Sequence, residues 1–120
     1  MFNVLSSLFH ANIEGAEFVT PDAAKEAMES GAIQTLIDVR TPGEFQQARI
    51  PGAIHIPLDK LASKMDSLKN RREESILLYC RTHNRSAMAA KYLSGEGFKN
   101  LKILNGGITS WASQGLPLEN

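Results

Sequence analysis

From Glu17 onward, short apolar runs alternate with stretches of helical periodicity. Phe18-Val19 reads as a short strand. Thr20-Pro21 follows it, a capping residue with proline at the first helical position, and Gly31 closes the helix they open. Thr35-Leu36-Ile37-Asp38-Val39 predicts a buried strand. Thr41-Pro42-Gly43-Glu44 has the spacing of a capping box, so a short helix should start there. Ala53 to Ile56 predicts the next strand, stopped by Pro57. Asp59 is placed to cap a helix carrying Leu61, Met65 and Leu68 on one face, and residues 70–74 read as a solvated turn. Ser75 to Tyr79 is the strongest strand, apolar enough to be covered on both faces. Ser86 to Leu93 predicts a helix closed by Gly95 and Gly97, and Leu101 to Leu104 the last strand. Gly106-Gly107 then turns the chain into a terminal helix bearing Ile108 and Trp111, ending near Gly115 and Pro117. Strands alternating with helices predict an α/β fold with a mainly parallel sheet.

Residues 1–12 stand apart from this pattern. Phe2, Leu5, Leu8 and Phe9 fall on one helical face. The readings are a turn docked on the core, an arm that binds a partner or forms a dimer, or disorder. The expected organisation is an N-terminal arm over 1–12 and one domain over 13–120, as a monomer or a weak dimer through the arm.

At 120 residues the chain is long enough for one core without covalent staples. Thirteen Lys plus Arg balance thirteen Asp plus Glu, which argues against a nucleic-acid or membrane-surface binder. No apolar run approaches the length of a membrane span, and the first ten residues lack the charged start of a secretory signal. Cytoplasm is the expected address, where a lone thiol stays reduced. The single cysteine, Cys80, excludes an internal disulfide and a multi-cysteine metal site. His10, His55 and His83 show no metal-ligand spacing, so neither a metal nor an organic cofactor is implied.

Sites in open parallel sheets form beyond the carboxyl ends of strands. Two such ends carry chemistry: Asp38-Val39-Arg40, and Cys80-Arg81-Thr82-His83-Asn84-Arg85-Ser86. The second follows the most apolar strand and precedes a helix, whose N-terminus carries partial positive charge and free N–H groups. Arg81 and Arg85 add positive charge, and no acid lies between Cys80 and Ser86. Such surroundings favour a nucleophilic thiolate, and the N–H groups of a tight loop can converge on an anion. Set against this, Cys80 alone could be a buried structural thiol. His83 reads as a loop wall or proton carrier, and His55 as structural. Asp38 and Arg40 point to the same side and read equally as a local ion pair or as site residues, with Arg40–Glu44 an alternative pair. Trp111 reads as core or a lid, and Met65 and Met88 as packing.

Three blocks in order then carry a resemblance. They are Leu36-Ile37-Asp38-Val39-Arg40 with Glu44-Phe45, Ile50-Pro51-Gly52-Ala53-Ile54 and Ile56-Pro57; Cys80 to Ser86; and Gly106-Gly107, Trp111, Gly115 and Pro117. Over residues 16–118 the chain resembles the single-domain rhodanese-like sulfurtransferases. The resemblance implies one domain with a parallel five-stranded sheet and helices on both faces. It also implies that Cys80 takes a sulfane sulfur from a small anionic donor, thiosulfate or a persulfide, and passes it to a thiol, a protein acceptor or cyanide. Arg40, Arg81, Thr82, His83, Asn84, Arg85 and Ser86 would bind the donor, and Asp38 would support the site. Related phosphatases and arsenate reductases place five residues between Cys and Arg; here there are four, a loop sized for sulfur. The competing expectation is a non-catalytic binding or regulatory module on the same fold. Two departures stand out. His83 occupies a position where the family usually has glycine, which would strain the backbone if it required positive φ. Ala48-Arg49 replaces the usual Gly-His, leaving that histidine's role unfilled.

Overall fold

A computed structural model of the protein, which describes residues 13–120, shows five strands in one wholly parallel sheet. The strands are β1 (Ala16–Val19), β2 (Thr35–Asp38), β3 (Ile54–His55), β4 (Ser75–Tyr79) and β5 (Asn100–Leu104), in spatial order β1-β5-β4-β2-β3. Among these residues the α-helices are α1 (Pro21–Ser30), α2 (Pro42–Gln47), α3 (Met65–Leu68) and α4 (Asn84–Gly95) between strands, and α5 (Gly107–Ser113) after the last one. The predicted α/β architecture is the observed one. The arm over residues 1–12, and a dimer formed through it, lie outside the described residues.

The helix starts follow the capping chemistry in the sequence. Thr20 Oγ1 accepts the Ala23 N–H at 3.2 Å, Pro21 opens α1, and Gly31 closes it in the left-handed conformation. At α2 the full capping box forms. Thr41 Oγ1 accepts the Glu44 N–H at 3.3 Å, and Glu44 Oε1 accepts the Thr41 N–H at 3.0 Å.

Three predictions are corrected. The helix to be capped by Asp59 does not form as one unit. Residues 58–71 are 3₁₀ turns interrupted by the one-turn α3, and Asp59 makes no cap. Three-residue turns bring Leu61 and Leu68 onto the core while the chain bends around it, which a straight α-helix does not do. The third strand is only Ile54–His55, with Ile54 exposed on the sheet edge; beyond it, Ile56 and Leu58 still donate to Asp38 and Val39. Met88 is 61% exposed rather than packed, whereas Met65 does pack against the core.

The period of two along each strand divides the core between the sheet faces. Ile37, Ile76, Leu78, Leu101 and Ile103 face α4 and the 58–71 segment. Leu36, Leu77, Tyr79 and Leu104 face α1 and α5, with Trp111 buried among them. From β2 the chain runs outward to β3, and from β4 it runs the other way to β5. The loops after β2 and β4 therefore diverge, leaving a crevice at their carboxyl ends.

Leu78 lies on the central strand and is fully buried. Leu78→Ala should lower stability by about 3 kcal/mol through lost burial and a residual cavity. The readout is a shift in urea midpoint at unchanged m-value.

Candidate active site

The alternation that buries β4 also places its thiol. Ile76 and Leu78 face α4, and Cys80, two residues further on, continues that row past the strand end. It is 1% exposed. The chain then turns through residues 81–83 into α4, so the first turn of that helix lies over the sulfur. Ser86 donates its backbone N–H to Cys80 Sγ at 3.4 Å, and Ser86 Oγ lies 3.5 Å from the same sulfur. That N–H belongs to the unpaired first turn of a 12-residue helix, where the dipole favours negative charge. The helix begins at Asn84, not Ser86, so Asn84, Arg85 and Ser86 are its first three residues.

The loop's carbonyls are held from the other side. Ile108 N–H donates to the Cys80 carbonyl at 2.9 Å and Thr109 N–H to the Arg81 carbonyl at 3.2 Å. The N-terminus of α5 thus takes two of the loop's acceptors, and the N–H groups of Arg81 and Thr82, on the same two peptide units, point away from it. Close approach requires Gly107, at φ +59°, because a Cβ there would overlap the carbonyl oxygens of Cys80, Arg81 and Thr82.

Glu44 supplies the acid that the loop itself lacks. Both its oxygens grip Arg85, at 2.7 Å to Nη1 and 3.0 Å to Nη2. Hydrogen bonding from Arg85, opposed by burial and helped by Thr41, lowers the Glu44 pKa from 4.5 to about 2. The same bond raises the Arg85 pKa against its own burial. The expected pair of uncompensated arginines therefore reduces to one. Arg81 is exposed and, among the described residues, has no carboxylate partner.

Asp38 and Arg40 form the local ion pair, buried at 0% and 5% exposure. Arg40 Nε and Nη2 clasp both Asp38 oxygens at 2.7–3.1 Å, and Nη2 also donates to the Ala48 carbonyl at 2.6 Å. Burial opposes the Arg40 charge, but Asp38 outweighs it and the net pKa is raised. Arg40 stacks over Tyr79, whose phenol is pushed up by burial and then by Asp38. Tyr79 Oη accepts the Ile50 N–H at 3.0 Å. Asp38, Arg40 and Tyr79 share the α5 side of the sheet, opposite the Cys80 thiol. Arg40 reaches the loop beside Arg81, where both line a groove of about 320 Å³ with Glu44, Gln47, Thr109 and Leu118.

The remaining loop residues build its wall. Thr82 and His83 are half-buried and Asn84 is exposed. His83 sits at φ −159°, so replacing glycine there costs no left-handed strain. Its carbonyl accepts from Ser86 Oγ at 3.1 Å, and its ring meets Phe18 edge-on. Arg49, where the family has histidine, lies over the Phe45 ring and donates to the Phe45 carbonyl at 3.2 Å. His55 stacks on the same ring, and its Nε2 lies 2.7 Å from the Arg40 carbonyl. Trp111 is core, its indole N–H donating to the Pro117 carbonyl.

Two residues central to this geometry carry only a local signal in the sequence. Glu44 is marked as a capping residue and Gly107 as a turn glycine. Their partners lie 41 and some 25 residues away, and only the fold brings them together. Among the described residues, no group of three or more His, Cys, Asp or Glu side chains could hold a metal. No helix among them is long and apolar enough to cross a membrane.

The family model for the rhodanese-like domain matches residues 20–114. The chain belongs to the rhodanese-like domain family. It is 37% identical over 83 residues to a sulfurtransferase of Allochromatium vinosum, covering 69% of this chain and 76% of that protein. It is 36% identical over 99 residues to the probable adenylyltransferase/sulfurtransferase MoeZ of Mycobacterium tuberculosis, covering 82% of this chain. The chain spans only 25% of MoeZ's length. The rhodanese-related protein of Thermoplasma volcanium superposes with a TM-score of 0.76 at 31% identity, covering 86% of this chain and 97% of that one. The rhodanese-like fold and these relatives support sulfur transfer in general terms.

Two outcomes are expected of this rhodanese-like domain. The Glu44–Arg85 pair stabilises the fold fully above pH 4.5, and that contribution is lost as pH falls toward about 2. Glu44→Gln should flatten the dependence of the urea midpoint on pH within that window. Gly107→Ala should push the Cys80 loop off α5 and lower the thermal midpoint by several degrees, a loss of about 1–3 kcal/mol. An unshifted melting curve would contradict the close approach.

Proposed function

We propose that this domain is a sulfurtransferase in which Cys80 carries the sulfur as a persulfide. The observation behind this reading is the Cys80 sulfur at the floor of a short loop, facing the Ser86 N–H at the start of α4. A thiolate there attacks the outer sulfur of a small anionic donor, thiosulfate or a persulfide. A bond forms between Cys80 Sγ and the outer sulfur. The donor's S–S bond breaks, and its electron pair leaves with sulfite or a thiolate. In the second step a thiol, a protein acceptor or cyanide attacks the outer sulfur, and the Cys80 thiolate returns. Two easier displacements replace one difficult transfer.

The residues divide the work. Ser86 N–H and the loop N–H groups from Arg81 to Asn84 stabilise charge on the sulfur and the persulfide. Thr82, His83 and Asn84 form the wall that holds the donor. Arg85, Arg81 and Arg40 supply positive charge to the donor anion, and Asp38 holds Arg40 in place. Four residues between Cys80 and Arg85 leave a ring suited to a sulfur atom rather than a tetrahedral oxyanion.

Intact mass tests the reading. Protein incubated with thiosulfate, or with an alkyl persulfide, should gain one sulfur, and cyanide should remove it as thiocyanate. Cys80→Ser should gain none and keep the wild-type thermal midpoint within a few degrees. If neither donor adds sulfur to folded protein, the domain binds rather than transfers.

A further inference from the structure

We propose that Glu44 is a donor-selecting residue, which makes the site favour low-charge alkyl persulfides over the thiosulfate dianion. This inference rests on the sulfurtransferase reading and names the donor class of the same site.

The argument is one of charge. Arg40 is already neutralised by Asp38, and Arg81 and Arg85 stand against Glu44 at the loop, two positive groups against one negative. One positive charge remains, and the attacking Cys80 thiolate balances it. A donor dianion then enters a neutral crater and adds two negative charges. An alkyl persulfide adds one at most.

Geometry makes this more than a count. Arg85 directly precedes Ser86, whose N–H meets the Cys80 sulfur, and both ends of its fork are already taken by Glu44. Arg40 has Nε and Nη2 occupied by Asp38 and the Ala48 carbonyl. A dianion must therefore draw Arg85 away from a carboxylate that holds it with two bonds, or sit beside that carboxylate. Glu44 is also fixed from its own helix, by the Thr41 N–H at 3.0 Å and the Thr41 hydroxyl at 3.1 Å. It cannot swing away cheaply. It also lines a groove with Arg40 and Arg81, so its carboxylate adds negative charge beside both of those arginines. Its low pKa keeps it ionised at neutral pH. A low-charge persulfide avoids this conflict. It needs only the loop N–H groups, which Glu44 does not occupy.

The test compares two donors on two proteins. Glu44→Gln removes the charge but keeps a side chain that still completes the capping box. Full-chain protein is loaded from thiosulfate and from 2-hydroxyethyl persulfide, with loading followed by intact mass and the Cys80→Ser background subtracted. Wild type should show the higher kcat/KM with the alkyl persulfide. Glu44→Gln should raise kcat/KM for thiosulfate about tenfold, mainly through KM, and change the alkyl persulfide less than about threefold. An equal fall with both donors would show that Glu44 only positions Arg85, and would overturn selection. So would a wild type that prefers thiosulfate. If neither donor loads wild type, the sulfurtransferase reading itself fails, an outcome distinct from loading without selection.

Discussion

The Cys80 loop is held by its carbonyls. The N-terminus of α5 receives two of them, from Cys80 and Arg81, and Gly107 lets the backbones close on each other. A peptide unit whose C=O is fixed in one direction has its N–H fixed in the other. The Arg81 and Thr82 N–H groups are thus oriented by hydrogen bonds made behind the loop. α5 is only seven residues long, yet it is anchored by the buried Trp111 and Ile108. Apolar packing on one sheet face thereby sets polar geometry at the crevice.

The two ion pairs at the site differ in kind. Asp38–Arg40 is almost wholly buried, with added hydrogen bonds from the Arg40 N–H to Asp38 and from Nη2 to the Ala48 carbonyl, and Arg40 lies over Tyr79, whose hydroxyl accepts the Ile50 N–H. A pair so buried offsets its desolvation only with such additional bonds. Glu44–Arg85 is half-exposed and spans two loops on opposite sides of the topological switch. It couples the start of α2 to the start of α4, so each of the two diverging loops contributes one charge to the mouth of the crevice.

Much of the architecture was legible in the residues because it is local. Caps at Thr20 and Thr41, the glycine stop at Gly31 and the apolar run into Tyr79 each act within a few positions. The Cys80-to-Ser86 loop was legible for the same reason: its cysteine, its arginines and its helix start are adjacent. The 58–71 segment was not, because its turns are bent to fit a surface that other elements make. Arg85's partner was hidden too. The absence of an acid within the loop is true of the sequence, but the fold supplies one from 41 positions away. Parity was readable for Asp38 and Arg40 as a pair, but their separation from Cys80 across the sheet needs the β2–β4 register.

The Ser86 hydroxyl has one proton and two neighbours that can take it, the His83 carbonyl at 3.1 Å and the Cys80 sulfur at 3.5 Å. When the sulfur carries its own proton, it can donate to Ser86 while Ser86 donates to the carbonyl. When that proton leaves, a bare anion would face an oxygen lone pair unless the hydroxyl turns. The serine is thus a single-proton rotor, and its orientation encodes the charge on the sulfur. Each turn makes or releases a hydrogen bond to the backbone at the start of α4.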